Sequence, residues 1–591
     1  MKQFFKTFAA VVAGIFVVGM IQTTIMSVVM LSMIGALSKS PTYSPKENTI
    51  LKIDLHGQER EYAEPTPLAF LSGKKRQEIS LHKQLQAICI AKIDPRISGI
   101  YLNAKNWQTG IASAQTLRKA LADFKESGKF IVAYADQYSQ STYYVCSIAD
   151  KIIINPSGTI DLHGLSATCG FYLGLMQKLG INMQIFKVGD YKSAVEPFSR
   201  KNMSAENKEQ TQLYLNELWN SLINDISESR QINPQYLNKA IDGILAFGEA
   251  ASYLQNGLAD TLLYRSETES YLKELTFITA KEKLKFASID EVCSIEQISS
   301  NKKADKIAIL YAEGEISDVS KEFSPYDSEP YITSGILKEI QTLKNDEQVK
   351  AVVLRVNSPG GSAFLAEQIW KELSDLKAKK TLIVSMSDLA ASGGYYISSC
   401  ANLIVAEPTT ITGSIGIFGI IPDFSGLIGK TDITIDNVKT NTYADFPSVT
   451  KPMDENEKCA IQAYVEKGYQ LFLKRCAEGR TTPVDSIAKV AGGRVWSGTS
   501  AMKSGLIDVL GDLSVAIEFA ADYAEIGDYI IENYPKQKDF FTLLFEDPMK
   551  QLKYACSPLG AEEESILAFI YRMKNIEILQ TRLPFEINTN L

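Results

Sequence analysis

Ser392 lies in the run Leu389-Ala390-Ala391-Ser392-Gly393-Gly394-Tyr395, among small side chains. A hydroxyl placed after an apolar run and at a helix start can be exposed to a ligand. N–H groups at such a helix start suit a developing oxyanion. The same serine also suits a plain helix N-cap. A second run, Arg355-Val356-Asn357-Ser358-Pro359-Gly360-Gly361-Ser362, carries a glycine pair after another apolar stretch. Lacking Cβ atoms, its backbone can approach a ligand closely, or simply turn tightly. A serine hydroxyl needs a base to become a nucleophile. The chain has only three histidines, His56, His82 and His163, and none lies in a motif that would deliver it to Ser392. Lysine can serve where burial disfavours its charge, since fully buried lysines reach pKa values of roughly 5–6. Serine–lysine pairs are a variant of the catalytic triad. The candidate is Lys192, in Val188-Gly189-Asp190-Tyr191-Lys192-Ser193-Ala194-Val195-Glu196-Pro197-Phe198; a solvated loop lysine is the alternative among 61 basic residues.

Other chemistries fit poorly. No HExxH, no Cys/His ligand spacing and no CxxC occurs, and the eight cysteines read as small buried apolar residues. Neither a metal nor another cofactor is expected. The net charge of −8 argues against nucleic-acid binding through phosphate neutralisation and against a polybasic lipid surface. Over 591 residues, 45% hydrophobic and 22% charged composition is that of a globular protein of several domains.

The elements that must position these residues occur twice. Ile131-Val132-Ala133, Asp136, Tyr143-Tyr144 and Pro156 reappear 252 positions later as Ile383-Val384-Ser385, Asp388, Tyr395-Tyr396 and Pro408. Met203 to Lys208 matches Met453 to Lys458 at an offset of 250, and Gly257-Leu258-Ala259-Asp260 matches Gly505-Leu506-Ile507-Asp508 at 248. So small a drift marks two homologous units, 49–295 and 305–525, with a linker at 296–304. In the second unit, short β-rich runs at Ile307–Tyr311, Ala351–Val356, Leu382–Met386 and Leu403–Ala406 alternate with helical spacing at Ala363–Ala378 and Ala391–Ser399. That alternation predicts an α/β fold of parallel βαβ units. In such folds ligands sit at the carboxyl ends of strands. Residues 526–591 do not repeat and are expected to form a small appendix or partner surface.

The repeats also divide the chemistry. Ser392 aligns with Gln140, Gly360 with Gln108, and Lys192 with Thr442. Each unit lacks something the other has, so one dyad shared across a docked interface is expected, with Lys439 as the second candidate base.

At the other end, 32 uncharged residues separate Lys6 from Lys39. About 20 apolar residues suffice to cross a bilayer, whereas a cleaved signal peptide has an apolar core of about 7–15. Residues 1–38 therefore read as a stub and transmembrane anchor, followed by a linker at 39–48. Lys2 and Lys6 before the segment and Lys39 and Lys46 after it leave the orientation open.

The surroundings of Lys192 (Tyr-Lys-Ser-Ala-Val-Glu-Pro-Phe) and of Ser392 (Ala-Ala-Ser-Gly-Gly-Tyr), together with the tandem repeat and the anchor, resemble the long bacterial form of the signal peptide peptidase A family. The resemblance covers most of 49–525. It implies ClpP/crotonase-like domains, with Ser392 as nucleophile and Lys192 as general base and acid. Gly361 and Gly393 would supply the oxyanion hole and Gly360 would shape its turn. Ser414, in Thr412-Gly413-Ser414-Ile415-Gly416, resembles a family position that hydrogen-bonds the lysine; a turn hydroxyl is the alternative. The resemblance further implies peptide substrates left by signal peptide cleavage, a homotetramer, and a catalytic part facing the periplasm from the inner membrane. Two other functions compete. A crotonase-type acyl-coenzyme A enzyme would share the oxyanion hole, but has no evident use for a Ser-Lys pair. A non-enzymatic membrane scaffold would have no need to keep the reactive residues.

Overall fold

The computed structural model describes Met20, Thr24 and residues 43–62, 78–279, 281–295, 304–318, 330–536 and 580–582. The expected anchor falls almost wholly outside these residues. Among the described residues no helix is long and apolar enough to cross a membrane.

Each repeat builds its own parallel sheet. In the first, Thr49–Arg60, Ile97–Gln108, Phe130–Tyr138 and Lys151–Ile160 lie side by side in chain order, with Thr261–Leu262 beyond the last. In the second, Asp305–Glu313, Val349–Ser358 and Thr381–Ala391 are neighbours, and Thr381–Ala391 pairs with both Leu403–Ala406 and Ile411–Gly413. Parallel strands with both faces covered read as near-continuous apolar runs. Val349–Ser358 shows why: Val352 and Leu354 pack in the same core as Ile369 and Leu373 of helix Ala363–Lys377. Ala351 and Val353, on the other face, pack with Leu513, Ala516 and Ala520 of helix Leu513–Tyr523.

The internal repeat is visible as repeated hydrogen bonds. Tyr143 Oη donates to the Leu258 carbonyl at 2.8 Å, and Tyr395 Oη to that of Leu506 at 2.9 Å. Arg230 and Arg480 pair with Asp260 and Asp508, each contact at 2.8 Å. Ser204 caps helix Ala205–Arg230 and Asp454 caps helix Glu455–Gly479, each accepting from the backbone N–H three residues on. Caps of this kind satisfy N–H groups that the helix itself leaves unpaired.

Three expectations are corrected. The strand before Ser392 runs on through Ala391, because after its pairing with Leu403–Ala406 ends it continues against Ile411–Gly413. The helix therefore begins at Gly393 rather than Ala391. The second sheet also extends past residue 525: Tyr529–Tyr534 pairs in parallel with Asp305–Glu313, so this part of the non-repeating tail is an edge strand, not an appendix.

A third sheet mixes the repeats. Asn182–Lys187 of the first is antiparallel to Phe418–Asp423 of the second over six residue pairs, from Phe418↔Lys187 to Asp423↔Asn182. Polar contacts bind the halves elsewhere. Arg355, 1% exposed, donates from Nε to Glu61 at 2.9 Å and also reaches Ser385 and Ser387. Asp388 accepts from the backbone N–H of Ser113 at 3.0 Å, in the first turn of helix Ile111–Lys125. Gly110, just before that helix, leaves room for this carboxylate: a Cβ there would lie 2.0 Å from Asp388 Cγ.

Candidate active site

Ser392 closes the strand Thr381–Ala391 and opens the helix Gly393–Ser398. The turn is sharp. Its backbone has φ 56° and ψ −110°, a region that L-residues seldom adopt and that costs of order 1–3 kcal/mol. Hydrogen bonds on both sides hold it there: Ser392 N–H donates to the Gly413 carbonyl and its own carbonyl accepts from Tyr396, both at 2.8 Å. The side chain makes no cap hydrogen bond, so the N-cap reading does not account for the hydroxyl. Gly394 lets the helix start press on the glycine loop, since a Cβ there would lie 2.7 Å from the Ser358 carbonyl oxygen.

Lys192 reaches the hydroxyl from the other repeat. It follows the strand Asn182–Lys187, which is paired with Phe418–Asp423, and stands just before the short helical turn Ser193–Val195. Its Nζ lies 2.9 Å from Ser392 Oγ, 3.0 Å from Ser414 Oγ and 3.2 Å from the Ser414 carbonyl oxygen. The side chain is fully buried (0% exposed). Burial alone pushes its pKa down, to about 7. Desolvation penalises the ammonium, and among the described residues no carboxylate offsets that penalty. The solvated-lysine alternative is therefore excluded by position.

Ser414 also has positive φ, 50°, and is anchored by its N–H to the Arg494 carbonyl at 2.7 Å. It is a fixed partner of the amine rather than an idle turn hydroxyl. Gly360 donates its N–H to Ser358 Oγ at 3.1 Å, which shapes the loop. Gly361 has φ 150° and packs so closely on Ile316 that a Cβ would lie 2.2 Å from its carbonyl oxygen. Lys439 goes elsewhere. It sits in an exposed loop, bonded to Asp445 at 3.0 Å and to the Thr442 carbonyl at 3.1 Å, so it is no alternative base.

The sequence reading missed the residues that shape the lysine's slot. Gly493 (φ 83°) packs on the Lys192 backbone, where a Cβ would lie 2.6 Å from Lys192 Cα. Gly416 faces the side chain, with a would-be Cβ 3.3 Å from Cδ. Gln210 donates to the Tyr191 carbonyl and Ser193 Oγ, both at 3.2 Å, and accepts from Val495 N–H at 3.1 Å, tying the lysine loop to the second repeat. The Gly492-Gly493 pair was a visible signal; Gln210 carried none.

A serine hydroxyl held against a buried lysine amine on an α/β scaffold is the constellation of a serine hydrolase. The sequence model of peptidase family S49 matches residues 123–278 and 374–527, which contain Lys192 and Ser392 respectively. "Protease 4" of Salmonella typhi is 37% identical over 80% of this chain and 77% of its own length. "Protease 4" of Haemophilus influenzae is 36% identical over 75% and 73%. "Serine protease SPPA, chloroplastic" of Arabidopsis thaliana is 31% identical over 82% and 71%. The chain belongs to peptidase family S49 and is a serine protease. With that, the acyl-coenzyme A and scaffold readings fall away.

Proposed function

We propose that this serine protease works through a Ser392–Lys192 dyad shared between its repeats, and that its substrates are apolar peptides such as the remnants of signal peptide cleavage. The observation that carries the dyad is the 2.9 Å contact between a fully buried lysine amine and a serine hydroxyl. Neutral Lys192 takes the Ser392 proton as Oγ bonds to the scissile carbonyl carbon. The N–H groups of Gly361 and Gly393 receive the oxyanion. Lys192 then hands its proton to the leaving amine as the C–N bond breaks. Water, deprotonated by the same amine, attacks the acyl-enzyme, and Ser392 leaves with the proton restored. Ser414 touches neither carbonyl nor leaving group in this scheme; it keeps Nζ aimed at Oγ.

The substrate class rests on the apolar run between Lys6 and Lys39, which would tether the enzyme where apolar peptides accumulate. In this reading the run anchors the chain in the inner membrane, the catalytic part faces the periplasm, and four copies assemble into a homotetramer.

Labelling with a serine-directed acylating or phosphonylating probe tests the dyad. Wild type should be labelled at Ser392. Ser392→Ala and Lys192→Ala should lose both labelling and peptide turnover while keeping their far-UV circular dichroism. Turnover retained in either variant refutes the dyad.

A further inference from the structure

Arg494 stands one residue before the strand Val495–Ser497, which runs antiparallel to Ile411–Gly413. Its carbonyl falls opposite Ser414 and accepts that residue's N–H at 2.7 Å. Ser414 is in turn the hydroxyl beside Lys192 Nζ. The side chain of Arg494 reaches the first repeat. Nη1 donates to Tyr191 Oη at 3.2 Å and Nη2 to Glu209 Oε1 at 3.1 Å. Cζ lies 4.7 Å from the centroid of the Tyr191 ring and 4.8 Å from that of Trp496. Nε is buried and has no hydrogen-bond partner among the described residues. A buried donor without a partner costs stability, so the guanidinium sits where the rings and its terminal nitrogens need it, at the expense of Nε. Tyr191 is thereby held at three points. Arg494 holds its ring, the Gly492 carbonyl takes its N–H at 3.1 Å, and Gln210 donates to its carbonyl. The next residue in the chain is Lys192.

We propose that Arg494 is a positioning residue for the reactive pair: its side chain grips the chain neighbour of the amine, its backbone grips the hydroxyl beside the amine, and together they fix the approach of Lys192 to Ser392 across the repeat boundary. This role rests on the dyad reading above. The two repeats supply a comparison. At the offset of 248 that matches Gly257 to Gly505, Arg494 corresponds to Ala246 and Trp496 to Gly248. There the chain forms a short helical turn, Leu245–Phe247, and the Ala246 carbonyl accepts from Tyr253 Oη of its own repeat at 3.2 Å. The common fold is thus built without the cation and the indole; they occur in the repeat whose segment faces the lysine loop. A guanidinium fork can serve two acceptors in different directions while lying against aromatic rings, which an ammonium cannot match. Arg494 acts through Tyr191 and Ser414, not on the substrate. A misplacement of about 1 Å at reacting groups can cost about 10²-fold in rate, so loosening one neighbour of the base is enough to be felt.

The test is kinetic and uses the full chain. Arg494→Ala keeps the backbone carbonyl and loses the grip on Tyr191. With a fluorogenic apolar peptide near neutral pH, kcat should fall about 10- to 100-fold while KM stays within about twofold of wild type. The deficit should shrink as pH rises towards about 10, because a loosened Lys192 admits water and its pKa climbs from about 7 towards that of a free amine. A serine-directed probe should label Ser392 to the wild-type stoichiometry, but more slowly. Arg494→Lys should recover only part of the loss, since it keeps the charge without the fork. A merely structural role predicts fewer labelled sites at an unchanged rate per site, and a kcat deficit equal at every pH; that result overturns the proposal. So does full recovery by Arg494→Lys, which would assign the effect to charge alone. Lys192→Met separates the two readings. Turnover retained in that variant sinks the dyad, and this role with it. An inactive Lys192→Met beside an Arg494→Ala with wild-type kcat and pH profile sinks the role alone.

Discussion

At the position where the second repeat carries Ser392, the first carries Gln140, and the two sites differ in backbone and in hydrogen-bond partners. Gln140 is the first residue of an ordinary helix, Gln140–Cys146, whose N-cap Ser139 has a relaxed backbone at φ −70° and ψ 164°. The Gln140 side chain folds back on its own repeat, accepting from the N–H groups of His163 and Gly164 at 3.1 and 3.0 Å. Ser392, by contrast, keeps a strained backbone and turns its hydroxyl to an amine from the other repeat. The surrounding scaffold is the same in both, down to the Tyr143 and Tyr395 hydrogen bonds. The fold therefore does not need the strain. Strain persists where a hydroxyl must point at a partner, and is absent where a longer side chain satisfies its own loop.

The largest break in that contrast comes from removing the amine. Lys192→Met should lower kcat/KM by about 10³-fold or more. Wild-type activity should rise with pH through an apparent pKa near 7, as burial of Lys192 requires. The stability of the same variant should move the other way. A folded pKa below the unfolded one means that the unfolded chain binds more protons between about 7 and 10.5, so the cost of burying Lys192 is full below 7 and fades towards 10.5. Lys192→Met should thus melt above wild type at pH 6, and the gap should narrow as pH approaches 10. A melting difference that does not change with pH would contradict the buried, uncompensated amine.

Next in size is the ionic tie between the repeats. Arg355→Met strands Glu61 in a dry interface and should destabilise the protein by about 3–5 kcal/mol in denaturant titrations. The double variant Arg355→Met/Glu61→Leu should recover much of the loss. A single variant as stable as wild type would mean that Glu61 finds water or a proton.

A smaller, more local effect is expected at Gly493. Gly493→Ala puts a Cβ 2.6 Å from Lys192 Cα at a left-handed backbone position. The lysine loop must shift, so kcat should fall at least tenfold with only a modest loss of stability, about 1–2 kcal/mol. Unchanged kcat would show that Nζ tolerates a displaced backbone. Smallest of all is the effect of Gln140→Ser on reactivity. The hydroxyl there has no amine to meet, so a serine-directed probe should still label Ser392 alone, with a stability loss of about 1–3 kcal/mol from the unpaired loop N–H groups. Labelling at position 140 would erase the difference between the repeats.

Much of this could be read along the chain. Repetition at offsets near 250 marked two related α/β units, because equivalent strands and helices need equivalent apolar patterns. Small neighbours singled out Ser392, and the missing histidines pointed to lysine. Two kinds of residue escaped. Gln210 is chemically unremarkable until folding sets it between Ser193 and Val495. Lys439 looked as good a base as many, and only its exposed loop and its Asp445 partner remove it. The edge strand Tyr529–Tyr534 was missed because its counterpart in the first repeat, Lys285–Ala287, is only three residues long, and because it pairs with residues more than 200 positions earlier.

Local residue types thus determined which groups could react: a hydroxyl among small side chains, a lysine where no histidine is placed to serve, and glycines where the backbone must come close. Tertiary structure alone decided that they meet. Lys192 and Ser392 are 200 positions apart, and pairing of Asn182–Lys187 with Phe418–Asp423 is what brings them within 2.9 Å. Burial then lowers the pKa of the amine to about 7, where the proposed proton transfer needs it, since the same lysine in water would hold its proton.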